Sequence, residues 1–195
     1  MNVQQFLKSA KPTRARKGAA GEQSDWLHLC DFKLRGKHLQ MVETRIVGTA
    51  HDQNSVSIAA QPGTYVVECR VISYGGDKRI SRMRVRPQDT AVTLGTSAGA
   101  IGVDLGGMAI TDVDVLASSV EEHEDHYQAW IEKILYGAAT PKAVGVLRWK
   151  RGRTEIPYAD GGFGDGTYKV FRLVSGKQNV GLEVEFIAPG TKYPF

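Results

Sequence analysis

No apolar run in this 195-residue chain approaches the roughly 20 residues that a membrane-spanning helix needs. The first 20 residues also lack the apolar stretch of a secretory signal, so a cytoplasmic location is expected. Cysteine is scarce. Cys30 and Cys69 are too few for a disulfide framework and lack metal-ligand spacing, which leaves two reduced thiols as the expectation. No internal repeat is visible, and the length excludes most two-domain cofactor enzymes.

What the chain does contain is enough apolar residue, 42%, against 24% charged, to bury one core. The net charge of +4 is unevenly placed. Lys8, Lys11, Arg14, Arg16 and Lys17 stand in residues 1–20 with no acid among them, and the remainder is nearly neutral. Residues 1–20 therefore read as a flexible basic tail with a short amphipathic turn at Val3 to Leu7, and 21–195 as one globular domain. The acids have their own stretch. From Asp112 to Glu132 there are seven of them (Asp112, Asp114, Glu121, Glu122, Glu124, Asp125, Glu132) and no Lys or Arg. Acids in a first helical turn favour the macrodipole, but seven exceed what capping requires, so an acidic patch for a basic partner is a live reading.

Alternation at period two dominates the body. Trp26 to Leu34, Leu39 to Ile46, Thr64 to Ser73 and Ile80 to Arg86 read as strands. Thr64 to Arg86 forms a hairpin about Gly75-Gly76-Asp77, with Tyr65, Val67, Cys69 and Val71 on a dry face. Arg70, Arg82, Arg84 and Arg86 share its polar face. Short strands follow at Ala91 to Leu94, Ile101 to Asp104 and Met108 to Thr111, then at Val144 to Trp149, Thr167 to Val174 and Val180 to Ile187. One principal helix interrupts them over about 118–136, capped by Ser118 or Ser119 and ended by Gly137 and Pro141. The fold class is α+β, strand-rich, with mainly antiparallel sheets.

Several motifs invite chemistry. Gly95-Thr96-Ser97-Ala98-Gly99 matches the nucleophile elbow G-x-S-x-G, and its extended form GTSAGA resembles the patatin-like acyl hydrolases. That resemblance implies Ser97 as nucleophile and Asp160, in Asp160-Gly161-Gly162, as its partner. An elbow needs a helix after the serine, yet Gly99, Gly102, Gly106 and Gly107 follow, each costing a helix ~1 kcal/mol relative to alanine. Ile101 to Gly107 resembles the first phosphate loop of sugar kinases in the actin-like ATPase superfamily, but the second phosphate loop is missing. His123 and His126 lie three apart rather than at the H-E-x-x-H spacing that directs two imidazoles at one zinc. Arg148-Trp149-Lys150-Arg151-Gly152-Arg153 interleaves an aromatic with cations in the manner of a phosphate-backbone track, but a nearly neutral body makes nucleic acid an improbable partner.

Two further resemblances shape the functional expectation. Gly63-Thr64-Tyr65-Val66-Val67, Gly102-Val103-Asp104 and the closing segment Asp160 to Val170 resemble an uncharacterised bacterial family of cytosolic proteins whose closing signature is D-G-G-x-G-D-G-x-Y-x-V. The closing loop lacks the acidic ladder of an EF-hand, and its Asp160 and Asp165 are expected to accept hydrogen bonds from nearby backbone N–H groups. In general character the chain resembles the immunity proteins of polymorphic toxin systems, which occlude one cognate toxin without chemistry of their own. That resemblance implies a protein toxin as partner, such as an NAD hydrolase or a nuclease, with no cofactor, no metal and no membrane. The contact is expected from Glu121, Glu122, Glu124 and Asp125 at the helix start, together with Asp160 and Asp165.

Overall fold

The computed structural model describes residues 2–9, 14–47, 54–104, 107–120, 143–149 and 154–195. The first described element is a helix, α1 (Val3–Lys8). Asn2 and Gln5 cap it reciprocally, the Asn2 carboxamide accepting from Gln5 N–H at 2.9 Å. The amphipathic turn expected at 3–7 is thus present, and it is docked: Val3 is fully buried and Phe6 and Leu7 pack on the core. Lys78 Nζ donates to the Phe6 carbonyl at 2.6 Å and lies 4.2 Å from the centre of its ring, holding the C-terminal end of this helix.

Twelve strands follow among the described residues: β1 (Glu22–Gln23), β2 (Leu27–Leu34), β3 (His38–Glu43), β4 (Ser55–Ala59), β5 (Gly63–Tyr74), β6 (Asp77–Pro87), β7 (Thr93–Val103), β8 (Gly107–Asp112), β9 (Val144–Trp149), β10 (Thr154–Asp160), β11 (Gly166–Ser175) and β12 (Gln178–Glu185). A second helix, α2 (Val113–Val120), joins directly onto β8. The pairings are antiparallel, as the alternation implied. β1 and β2 lie end to end along one edge of β5, and the sheet continues β5-β6-β12-β11-β7. The other sheet runs β4-β3-β8-β10-β9.

The sheets pack face to face. Leu39, Met41, Met108 and Ile110 from the five-stranded sheet meet Val67, Val85, Val170 and Leu182 from the seven-stranded sheet in one buried cluster. Each such side chain withdrawn from water contributes roughly 1.5–3 kcal/mol. The second face of the five-stranded sheet is also covered, because Val42, Ala109, Ile156 and Tyr158 pack with Leu116 of α2. Burial on both faces explains why every residue of β8 is buried.

The structure revises several boundaries. A single strand, β7, replaces the two short strands expected at Ala91 to Leu94 and Ile101 to Asp104, with β-bulges against β11 absorbing its extra residues. β10 was hidden by Pro157, which argues against an interior strand. The proline is tolerated because β8 pairs only with Tyr158 to Asp160, so at Pro157 β10 has a neighbour on the β9 side alone. Helix α2 starts five residues before the expected caps Ser118 and Ser119, because the Asp112 carboxylate accepts the Val115 N–H at 3.3 Å. The rest of the expected helix, to 136, lies outside the described residues.

Asp112 and Asp114 do more than begin a helix. Asp112 accepts the N–H groups of Arg35 at 2.6 Å and Gly36 at 2.8 Å, and Asp114 accepts those of Lys37 at 2.5 Å and His38 at 3.2 Å. The β2–β3 turn is therefore pinned by two carboxylates, and two of the seven acids serve the fold. Hydrogen bonds from the His38 side chain and the Lys37 N–H hold the Asp114 carboxyl below its ordinary value.

On the outer face of the seven-stranded sheet the expected arginines are present, and three of them, Arg82, Arg84 and Arg86, stand in ion pairs. Arg84 and Arg86 both contact Glu68, at 2.8 and 2.9 Å, while Arg82 contacts Glu183 at 2.8 Å and also Glu185. The Trp26 ring covers Arg84 and Arg70, with guanidinium carbons 3.9 and 4.9 Å from its centre. Burial works to raise the Glu68 carboxyl, and hydrogen bonds from Arg86 and Arg84 outweigh it and bring it below its ordinary value. Burial raises the Glu183 carboxyl against the pull of Arg82. The Glu183 side chain is only 4% exposed, so its cation cannot be replaced by water. Arg82→Met is expected to cost about 3 kcal/mol at neutral pH in urea unfolding. A raised carboxyl favours the folded state only while protonated, so the deficit should shrink as pH falls toward about 4. A deficit that is independent of pH would show that Glu183 is not its source.

Candidate functional site

The closing loop connects β10 to β11 and takes its shape from glycine. Gly162 and Gly164 adopt φ of 53° and 113°, values that side chains with a Cβ rarely reach. Gly162 N–H donates to the Asp160 carbonyl at 3.0 Å and Gly164 N–H to the Gly161 carbonyl at 2.7 Å. The Tyr168 hydroxyl, projecting back from β11, donates to the Gly161 carbonyl at 2.7 Å and also touches that of Gly164. The Tyr168 ring packs edge-on against Phe186 at 5.2 Å. The loop is thereby fixed from within the core.

Around it stands an aromatic group that the sequence reading missed. Phe163, the variable position of the closing signature, lies 5.9 Å from Tyr74, 6.2 Å from Tyr193 and 5.8 Å from Phe195, ring centre to ring centre. Tyr193 and Phe195 arrive on the last segment, which is tied down by backbone bonds between Tyr193 and both Gly18 and Ala19 and by Tyr74, whose hydroxyl donates to the Thr191 carbonyl at 2.8 Å. Phe195 remains 64% exposed. Beside the rings, Arg79 binds Asp77 through two bonds of 2.8 and 3.0 Å. A hydrogen bond to Asp77 raises the Tyr193 hydroxyl above its ordinary value. The only hints in the sequence were the aromatic inside a glycine loop and the Tyr193-Pro194-Phe195 cluster.

Asp160 and Asp165 are brought to this loop, but not for the purpose expected. Neither carboxylate accepts a hydrogen bond from a backbone N–H or side chain among the described residues. Asp165 is exposed. Asp160 is half-buried, and burial pushes its carboxyl above the ordinary value despite the nearby Arg79 charge. Its ionised form therefore works against the fold. Glu121, Glu122, Glu124 and Asp125, like His123, His126 and the basic run 150–153, lie outside the described residues.

Ser97 is elsewhere. It sits inside β7, opposite Phe171 of β11, with its Oγ 3.4 Å from the Gly99 and Val170 carbonyls and its own carbonyl accepting from Arg172 at 2.7 Å. An elbow places the serine on a turn entering a helix, whereas this serine is flanked by strand on both sides. Asp160 belongs to the other sheet and makes no hydrogen bond with it. The two cysteines are free, and burial pushes the Cys30 thiol up to about 12 and raises that of Cys69, so neither is a ready nucleophile.

Two substitutions separate these positions. Asp160→Asn is expected to raise the thermal midpoint at pH 7, because it removes an ionised group whose folded pKa is raised. The gain should vanish once pH is low enough to protonate the wild-type carboxyl. Ser97→Ala is expected to change stability by no more than about 0.5 kcal/mol and to leave fluorophosphonate labelling at background. Labelling of the wild type that disappears in Ser97→Ala would establish a nucleophile there.

Comparison with protein-family models, with curated proteins and with solved structures finds no match to this chain.

Proposed function

We propose that this protein is a binding protein without covalent chemistry of its own, and that it works in the cytoplasm as the immunity partner of a protein toxin whose active site it occludes. The observation that carries this reading is the contrast between its carboxylates. Asp112, Asp114, Glu68, Glu183 and Glu185 are all committed to internal hydrogen bonds. Asp160 and Asp165 are held on a shaped loop and have none among the described residues. A side chain that the fold would be more stable without is best explained by something outside the fold.

The residues around these acids suit an interface. Tyrosine, phenylalanine and arginine are the side chains that anchor protein contacts; Phe163 of the same loop packs with Tyr193 and Phe195, and the Arg79 charge acts on Asp160. A toxin that attacks NAD or nucleic acid must present positive potential to its own anionic substrate, and two carboxylates on a shaped loop, without a hydrogen-bond partner among the described residues, complement such a cleft. Glu121, Glu122, Glu124 and Asp125 would extend the same field if the acidic helix contributes to the contact. Among the described residues no helix is long and apolar enough to cross a membrane.

The test is calorimetric titration against the product of the adjacent gene. Phe163→Ala is expected to weaken binding by roughly 30-fold, as for a buried aromatic anchor worth about 2 kcal/mol. Asp165→Lys should weaken it as well, chiefly through a slower association that loses its salt dependence. Wild-type affinity in both variants would remove the loop from the interface, and wild-type affinity after Lys replacement of Glu121, Glu122 and Glu124 together would remove the helix.

A further inference from the structure

The opposite end of the same strands carries a second site of different chemistry. β5 begins at Gly63 and β12 at Gln178, while β6 ends at Pro87. There the β2–β3 turn, the β4–β5 connection, the segment after β6 and the β11–β12 turn enclose an open trough of about 890 Å3. That volume is in the range that holds a small-molecule ligand, about 300–1,000 Å3. At 3.3 Å per residue β5 separates it from the aromatic loop by roughly 35 Å.

Among the described residues its lining contains no Asp or Glu. Lys37 supplies an ammonium, and the carboxamides of Gln61, Gln178 and Asn179 supply paired donors and acceptors. Among the described residues none of these four side chains has a hydrogen-bond partner, in contrast to Arg84 and Arg86 on the outer sheet face, which share Glu68. His38 also lines the trough, with Nδ1 engaged by Asp114 at 3.0 Å. The Asp114 carboxylate near this rim already accepts the Lys37 and His38 N–H groups. Pro62 and Pro87 add apolar ring surface.

The walls are held in place before any ligand arrives. The Tyr65 hydroxyl donates to the Gln61 carbonyl at 2.8 Å, and Ala60 N–H donates to the Lys37 carbonyl at 2.8 Å. Arg86, anchored by Glu68, donates through Nη1 to the carbonyls of Pro87, Gln88 and Thr90 at 3.3, 3.0 and 3.4 Å. Preorganised loops lose little entropy on binding.

Carboxamides match vicinal hydroxyls, which also donate and accept; ring surfaces match the C–H faces of a pyranose; and a lone ammonium without a competing carboxylate selects an acidic substituent. We propose that this trough binds an anionic saccharide, a sugar carrying a carboxylate or phosphate group.

The experiment titrates the full chain with glucuronate, glucose 6-phosphate, glucose and inorganic phosphate, following heat and the side-chain amide signals in NMR spectra. Both acidic sugars are expected to saturate one site, to shift the Gln61, Gln178 and Asn179 amide signals, and to bind about tenfold more tightly than glucose. Lys37→Ala should bring the acidic sugars to the level of glucose, and the pair Gln178→Ala and Asn179→Ala should weaken all three sugars. No saturable response to either acidic sugar, amide shifts confined to other residues, or inorganic phosphate binding as tightly as glucose 6-phosphate would each overturn the assignment. Toxin binding at the Asp160 loop is read separately, so either site can fail without the other.

Discussion

Opposed charges fix the register of the central strands, and both ends of the molecule depend on that register. Glu68 of β5 stands across from Arg84 of β6, and Arg84 and Arg82 stand across from Glu183 and Glu185 of β12. A slip of one residue would move these groups to the inner face and carry Val67, Val85 and Leu182 out of the core. Hydrophobic burial alone already penalises such a slip. The glutamates add a second penalty, because Glu183 is too deeply covered to lose its guanidinium without cost.

From that fixed centre the connections diverge to two ends with different characters. At one end the turns are polar and carry uncommitted carboxamides. At the other, a glycine loop is bound from below by Tyr168 and surrounded by aromatic rings. Loops positioned by a rigid scaffold are where binding residues concentrate, because they can be exposed without weakening the core. The cost of seating a carboxylate in such a loop is visible at Asp160, whose ionised form is disfavoured by its partial burial.

The β5–β6 hairpin was legible from residues 64–86 because strict alternation and a Gly75-Gly76 turn are local signals, and Gly75 takes the positive φ that a two-residue hairpin turn requires. The same holds for β9 and for the β11–β12 hairpin about Gly176. β10 was not legible, since proline tolerance depends on how far the neighbouring strand extends, which is a tertiary fact. β7 was broken in two by glycines that its bulges and its position at the end of the sheet accommodate. The G-x-S-x-G spacing is equally compatible with a turn and with a strand of small residues, and only the pairing with β11 decides between them.

The chain's own pattern determined a strand-rich, antiparallel architecture with one dry face to each hairpin, because side-chain alternation is a property of neighbouring residues. It also determined that Asp160 and Asp165 would occupy one glycine-shaped loop. Only the tertiary structure decided which charges are spent and which are free. Asp112 and Asp114 find their backbone donors 76 or 77 residues away, and Glu183 finds Arg82 across 101. Partners that distant in sequence meet through sheet pairing, so the surplus available for binding emerges only after the fold has taken its share.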